Sequence, residues 1–481
     1  MTDAEYDVIV IGAGPAGENA AAYAIAGSDR TVALVERELF GGECSYWACT
    51  PSKALLRPGA VLDLGESMSG VTASGLRVDD VLARRDAFVH HRDDSSQVEW
   101  AKSENIVPIR GAGRLIGERL VEVVTDAGTE VLRARHAVVL ATGTTAAVPG
   151  IPGVREALPW TSRDATSLTV VPRRVAIIGG GVVACEAATW LAELGAEEVT
   201  LLVRGDRLLP RSERFASDLV LAGLRDKGNV TVRFGVEPKR VTRRDPRDTG
   251  YGNIHGGPVT IELDDGALEV DELLVATGRA PATADLGLDA VGLPAGYVEV
   301  DDQLTARGVD GDWLYAVGDV NHRVALTHMG KYQARVCGDV IAARAEGKPL
   351  DGTRYTASAD HQQIPQVVYT APELASVGLT EDEARAAGHA VDTVELDISV
   401  AGSALSRDDF HGHAKLVVDT AADRLLGATF VGPDMGEQLH AATIAVVGRV
   451  PLDTLWNAVP AYPTVSEFWL RLLEAWRGKS I

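Results

Sequence analysis

Cysteine is scarce, four in 481 residues. So few cannot staple a secreted fold, and a reducing compartment is the default expectation. Basic charge is also short: 46 Lys and Arg face 68 Asp and Glu, leaving a formal charge of −22. A phosphate backbone or an anionic bilayer needs a basic footprint, so neither nucleic acid nor a membrane is expected as a partner. No apolar run approaches the about 18 residues that span a bilayer. The first residues, MTDAEYDVIVIGAGPAG, are acidic where a secretion signal is basic, and glycine soon breaks their apolar run. Together these absences read as a cytoplasmic chain. Aromatics are few at 5%, yet 46% of residues are hydrophobic and 50 are glycine. That balance fits a globular chain of about three domains at about 150 residues each.

One plan occurs twice. Residues 6–36 read as a strand (YDVIVIG), a glycine-rich turn, an alanine-rich helix and a second strand (TVALVE). Residues 173–204 repeat it as RRVAIIG, GGVVACEAATWLAELGA and VTLLVR. Each is a βαβ unit whose first strand is nearly all Val and Ile, as a strand buried on both faces requires. HAVVLATGT (136–144) and DELLVATGR (271–279) form a second echo, both ending in Ala-Thr-Gly. Alternating apolar residues around Asp-Ala-Gly (118–133) and Asp-Asp-Gly (258–270) predict β-hairpins. Residues 245–257 carry no periodicity and predict a loop. From about 351 the grammar turns α+β, with strands IPQVVYT and HAKLVVD, a helix near 435–448 and another from 464.

Gly12-x-Gly14-x-x-Gly17 follows a strand and opens a helix, and Glu36 closes the next strand. Such glycines let backbone approach a pyrophosphate at the helix N-terminus, and the acid can accept from a ribose hydroxyl. Downstream, Gly41-Gly42-Glu43-Cys44-Ser45-Tyr46-Trp47-Ala48-Cys49-Thr50-Pro51-Ser52-Lys53 places two cysteines five apart. In a regular helix such residues differ by about 7.5 Å in rise and point about 140° apart. A disulfide needs Cα atoms within about 7 Å. The pair is therefore expected in a distorted first turn, where a helix N-terminus also acidifies a thiol. From the residues alone it could be a redox pair, two structural cysteines or half of a metal site. Further ligands in recognisable spacing are missing, so no resident metal is expected.

This segment resembles the pyridine nucleotide–disulfide oxidoreductases, which include dihydrolipoamide dehydrogenase, glutathione reductase and mercuric reductase. Their pattern Gly-Gly-x-Cys-x-x-x-x-Cys-x-Pro-Ser-Lys is matched at every fixed position. The resemblance implies bound FAD, with Cys49 as the charge-transfer thiolate against it and Cys44 exchanging with substrate. It places Lys53 at the flavin and Glu186 as that lysine's partner. It also implies FAD contacts from Gly42, from Gly113 at the adenosine half, and from Thr142, Gly143, Asp319 in LYAVGDV (314–320), and Leu326, Thr327 and His328 in ALTH, with His328 a neighbour of the flavin and not a base. Cys185 and Cys337 read as core residues.

The second fingerprint, Gly179-x-Gly181-x-x-Ala184, resembles the family's nicotinamide site, with Gly278 after the second Ala-Thr. Where an NAD-specific member carries an acid, this chain has Arg204, with Arg207 and Arg211 nearby. These can grip a 2′-phosphate, so NADPH is expected over NADH.

The resemblance breaks at the C-terminus. Disulfide-reducing members carry His-Pro-Thr-x-x-Glu, offered across a dimer interface; here the segment reads Tyr462-Pro463-Thr464-Val465-Ser466-Glu467. With an unperturbed pKa near 10, a tyrosine is ionised in only about one molecule in a thousand at neutral pH. General acid–base help is typically about 10²–10⁴-fold, so efficient disulfide turnover is not expected. Mercuric reductases share this tyrosine but need a C-terminal cysteine pair, and this chain ends RGKSI. Tyr46-Trp47, bulkier than usual between the cysteines, suggest a reshaped substrate pocket.

The expectation is an α/β fold of two Rossmann-like dinucleotide-binding domains plus a C-terminal α+β dimerisation domain. The FAD domain is expected over 1–150 and 285–350, the NAD(P) domain over 151–284 and the interface domain over 351–481. The chain is then a homodimeric NADPH oxidoreductase whose active site is shared between subunits. Cys44, Cys49, Lys53, Glu186, Tyr462 and Glu467 carry the chemistry, and the small-molecule acceptor is a disulfide, quinone or metal ion. Dihydrolipoamide dehydrogenase is the alternative enzyme, and a flavin-bound redox sensor the non-enzymatic one.

Overall fold

The computed structural model describes residues 4–479. These divide into two compact units. The first runs to Pro51 and adds Asp86–Ala147 and Gly278–His361; the second comprises Ser52–Arg85, Val148–Thr277 and the chain from Gln362 on.

The first unit is built on a sheet of β1 (Ala4–Ile11), β2 (Val32–Glu36), β3 (Ile106–Arg110), β4 (Ala112–Gly117), β5 (Leu120–Thr125) and β6 (Gly128–Leu140). Its order is β3-β2-β1-β6-β5-β4, with Leu314–Ala316 pairing parallel to β6. Strand β1 is central and runs parallel to both neighbours. Val8, Ile9 and Val10 are fully buried without alternation, which a parallel strand covered on both faces demands. Each such side chain contributes about 1.5–3 kcal/mol through burial. Helix α1 (Pro15–Ile25) starts with proline in its first turn, where the missing N–H costs nothing. Its Ala20, Ala21 and Ala24 are fully buried, and it packs against the Thr327–Ala345 helix. Cys337 lies fully buried in that helix. The Asp-Ala-Gly turn joins β5 to β6 as a tight hairpin, with Thr125 paired to Gly128.

The second unit repeats the parallel plan in a four-stranded sheet ordered Val230–Phe234, Glu198–Val203, Arg174–Ile178, Glu272–Val275. Helix Val182–Glu193 crosses between the second and third of these, and Cys185 on it is fully buried. The Asp-Asp-Gly turn makes the expected hairpin, Leu263 opposite Gly266. Residues 245–257 contain no helix or strand. A five-stranded antiparallel sheet follows, ordered Pro365–Val368, Glu373–Gly378, Arg424–Gly432, His413–Asp419, Val391–Asp397. Phe430, Phe468 and Trp469 pack edge-on beneath it, with ring centroids 4.9 and 5.6 Å apart. The last helix begins at Phe468 and not at 464, because Thr464 is extended and a 3₁₀ turn, Val465–Glu467, intervenes. The architecture is the expected α/β fold with a C-terminal α+β portion.

Candidate active site

The first glycine turn follows β1 directly. Gly12 has φ +102°, and a Cβ there would lie 2.4 Å from the Ala141 carbonyl oxygen. A Cβ on Gly17 would lie 1.8 Å from the Gly12 carbonyl oxygen, so the helix can approach the strand only without a side chain. Gly14 caps α1 and faces open space. At the end of β2, Glu36 accepts from the Ala13 amide at 2.8 Å and the Glu38 amide at 2.7 Å. Burial pushes its carboxyl above the usual range, and the two amides pull the other way. Gly42 packs on Gly14, while Gly113 meets the side chains of Val35 and Ile11. Thr142 Oγ1 is buried with no hydrogen-bond partner among the described residues, and Gly143 beside it borders open space. Thr144 donates to Asp319 at 2.7 Å and receives Arg279. Open backbone at Gly14, a fixed terminal acid and an orphaned hydroxyl at Thr142 fit a dinucleotide such as FAD.

The cysteines sit on two helical pieces, not in one distorted turn. Cys44 lies in α2 (Gly42–Tyr46), the chain breaks at Trp47, and Cys49 is the first residue of α3 (Cys49–Glu66). Neither forms a disulfide, and both are partly exposed. A hydrogen bond to Cys49, then burial, pushes the Cys44 thiol strongly upward. Cys49 Sγ lies 3.2 Å from Thr327 Oγ1. Leu326 precedes that residue as the helix N-cap, and His328 is exposed after it. Tyr46 and Trp47 turn into the interior. They are 2% and 6% exposed and pack on Val89, with Arg92 stacked 4.3 Å over the Trp47 ring. Their bulk fills the interior behind the cysteines.

In the second unit, Lys53 Nζ reaches Glu186 Oε2 at 2.7 Å. The other Glu186 oxygen accepts from the Tyr369 amide at 3.0 Å, and Lys53 lies 4.8 Å over the Tyr369 ring. Tyr369 was not legible in the sequence as part of this site, because nothing local marks it. Gly179 has φ +138°, with the Ala276 carbonyl oxygen 2.3 Å from where a Cβ would be. Gly181 caps the Val182–Glu193 helix facing open space, and Ala184 is fully buried. Arg204 follows the strand end and is exposed, as is Arg211. Neither forms an ion pair among the described residues, while Arg207 donates to the Pro210 carbonyl. The Gly278 carbonyl accepts from the Ala147 amide at 3.0 Å, both residues lying in the first unit.

At the C-terminus Tyr462 is 77% exposed and makes no hydrogen bond among the described residues. Glu467 is buried and pairs with Arg471 at 3.1 Å. The structure does not bring the two together. No cluster of three or more His, Cys, Asp or Glu that could hold a metal occurs among the described residues. No helix among them is long and apolar enough to cross a membrane.

Two family profiles match the chain: pyridine nucleotide-disulphide oxidoreductase over residues 6–334 and its dimerisation domain over 364–472. Mercuric reductase of Staphylococcus aureus is 30% identical over 471 residues, covering 97% of this chain and 81% of that one. Dihydrolipoyl dehydrogenase of Chlorobaculum parvum is 32% identical over 473 residues, covering 97% and 96%. Among solved structures, the Cu(II) complex of the HOCl-induced flavoprotein disulfide reductase RclA from Escherichia coli superposes with TM-score 0.82. It is 25% identical and covers 98% of this chain and 99% of that one.

Proposed function

The chain belongs to the pyridine nucleotide–disulphide oxidoreductase family, and within it we propose an NADPH-dependent reductase whose Cys44–Cys49 pair hands electrons to a thiophilic metal ion. The family uses FAD and a pyridine nucleotide. FAD, when bound, supplies the two-electron link between the nicotinamide and the cysteine pair.

The observation that carries this reading is Tyr462, exposed and unbonded where disulfide-reducing members have a histidine. A disulfide acceptor leaves as a thiolate that must be protonated, and a phenol serves that acid–base role less well near neutrality than an imidazole. A soft metal ion held by two thiolates releases no such leaving group. Cys49, first in α3, sits where unpaired helix amides favour a thiolate. A net charge of −22 draws cations toward the surface. The mercuric reductase relative and the copper complex of RclA point to the same acceptor class. NADPH is favoured because Arg204 stands free at the strand end, with Arg207 and Arg211 on the same loop, ready for a 2′-phosphate. The reading calls for a homodimer, in which Tyr462 of one protomer meets the cysteine pair of the other.

Dihydrolipoyl dehydrogenase is the second reading, favoured by the 32% identity to that enzyme. An anaerobic thiol titration tests the core of the proposal. One equivalent of NADPH added to the oxidised holoenzyme should expose two new thiols per chain. Cys49→Ser should expose none, and no new thiols in the unmutated enzyme would sink the reading.

A further inference from the structure

Tyr369 touches both members of the Lys53–Glu186 ion pair. Lys53 lies one turn after Cys49 in α3, so the two share a helix face. Its Nζ meets Glu186 Oε2 at 2.7 Å and Ser52 Oγ at 3.3 Å. Glu186 is 4% exposed, so its second oxygen must find a partner within the protein. Tyr369 supplies one: its backbone N–H donates to Glu186 Oε1 at 3.0 Å. The ring of the same residue faces the ammonium, with Lys53 Nζ 4.8 Å from its centroid. That is inside the about 6 Å at which a ring face attracts a cation.

The backbone of Tyr369 is fixed independently of both contacts. It follows strand Pro365–Val368, whose Val368 is buried and pairs with Leu374. The next residue, Thr370, is buried, and its hydroxyl donates to the Pro372 carbonyl at 2.7 Å. Amide and ring therefore project from an anchored edge of the five-stranded sheet. A lysine ammonium rides on a flexible four-carbon stem, which an ion pair at one point leaves free to swing. The ring supplies a second point.

We propose that Tyr369 is a positioning residue for Lys53: its amide fixes the Glu186 carboxylate, and its ring face confines the ammonium. No bond to Tyr369 forms or breaks; it acts through Lys53. The ring does this work, and the phenol hydroxyl is dispensable. The proposal rests on reading Lys53 as the cation at the flavin, and its first test needs no turnover.

The oxidised holoenzyme is treated with a trace of an acetylating succinimidyl ester, and acetylation of Lys53 is followed by peptide mass. Tyr369→Leu keeps the amide and removes the ring. Lys53 should then acetylate about two- to fivefold faster, the factor that an exposed cation–π contact represents. Tyr369→Phe, which keeps the ring, should restore the slow rate. Stopped-flow mixing with NADPH gives the second readout. Tyr369→Leu should slow flavin reduction at saturating NADPH by at least about twofold, with half-saturation unchanged. Since Tyr369 is 37% exposed, the unfolding midpoint should stay within about 2 °C.

Unchanged acetylation in Tyr369→Leu, or a Tyr369→Phe that matches Tyr369→Leu, would overturn the proposal. So would a midpoint that falls with the ring, which would make Tyr369 a packing residue, or a weakened half-saturation at an unchanged limiting rate. Faster acetylation with unchanged flavin reduction would uphold the positioning of Lys53 and strike only the reading that puts this lysine at the flavin.

Discussion

In the first unit the strand after the glycine turn ends on Glu36, with both carboxylate oxygens already held by backbone amides. In the second the equivalent strand runs into Arg204, exposed and without an ion pair among the described residues. The two turns also differ at their third position. Gly17 leaves no room for even a methyl group, whereas Ala184 carries one in a closed core. One βαβ plan thus tolerates different chemistry at two points. On the proposed reading the strand-end residue selects what sits on the ribose, while the third position sets how closely helix and strand meet.

The largest effect should come from Gly17→Ala. Its methyl would fall 1.8 Å from the Gly12 carbonyl oxygen, so helix and strand must part. The purified variant should lose its visible flavin absorbance, and a flavin content equal to wild type would show the turn to be more pliable than argued. Next is Arg204→Glu, which places an acid where the second turn has a base. Losing a hydrogen bond to a charged phosphate costs about 1.5–3 kcal/mol, so kcat/KM should move toward NADH by at least about tenfold. Steady-state kinetics with both nucleotides decide it, and an unmutated enzyme that already prefers NADH refutes the assignment. The smallest effect belongs to Ala184→Gly. Glycine inside a helix costs about 1 kcal/mol, which thermal unfolding should register while nucleotide kinetics stay within about twofold. A large kinetic change would mean the two turns differ by more than packing.

The features readable from sequence were those written locally. The glycine turns, the cysteine pair, the hairpin turns and the burial of Cys185 and Cys337 follow from spacing and periodicity, and the structure contains them. What sequence hid was long-range or directional. Nothing in the local pattern joins Glu186 to Tyr369, or Arg279 to Thr144, because the fold makes these neighbours. Tyr46 and Trp47 show how direction stays hidden. Their bulk between the cysteines suggested a reshaped substrate pocket, and the structure adds that both rings turn inward onto Val89.

The central claim, a reductase whose acceptor needs no histidine, is tested most directly by turnover of the NADPH-reduced holoenzyme with Cu(II) and with lipoamide under one set of conditions. The account predicts Cu(II) reduction at least about a hundredfold above lipoamide, lost in Cys44→Ser, with Tyr462→His raising lipoamide turnover alone. Equal rates with both acceptors in the unmutated enzyme, or loss of both activities in Tyr462→Phe, would contradict it, since the phenol would then be the proton donor.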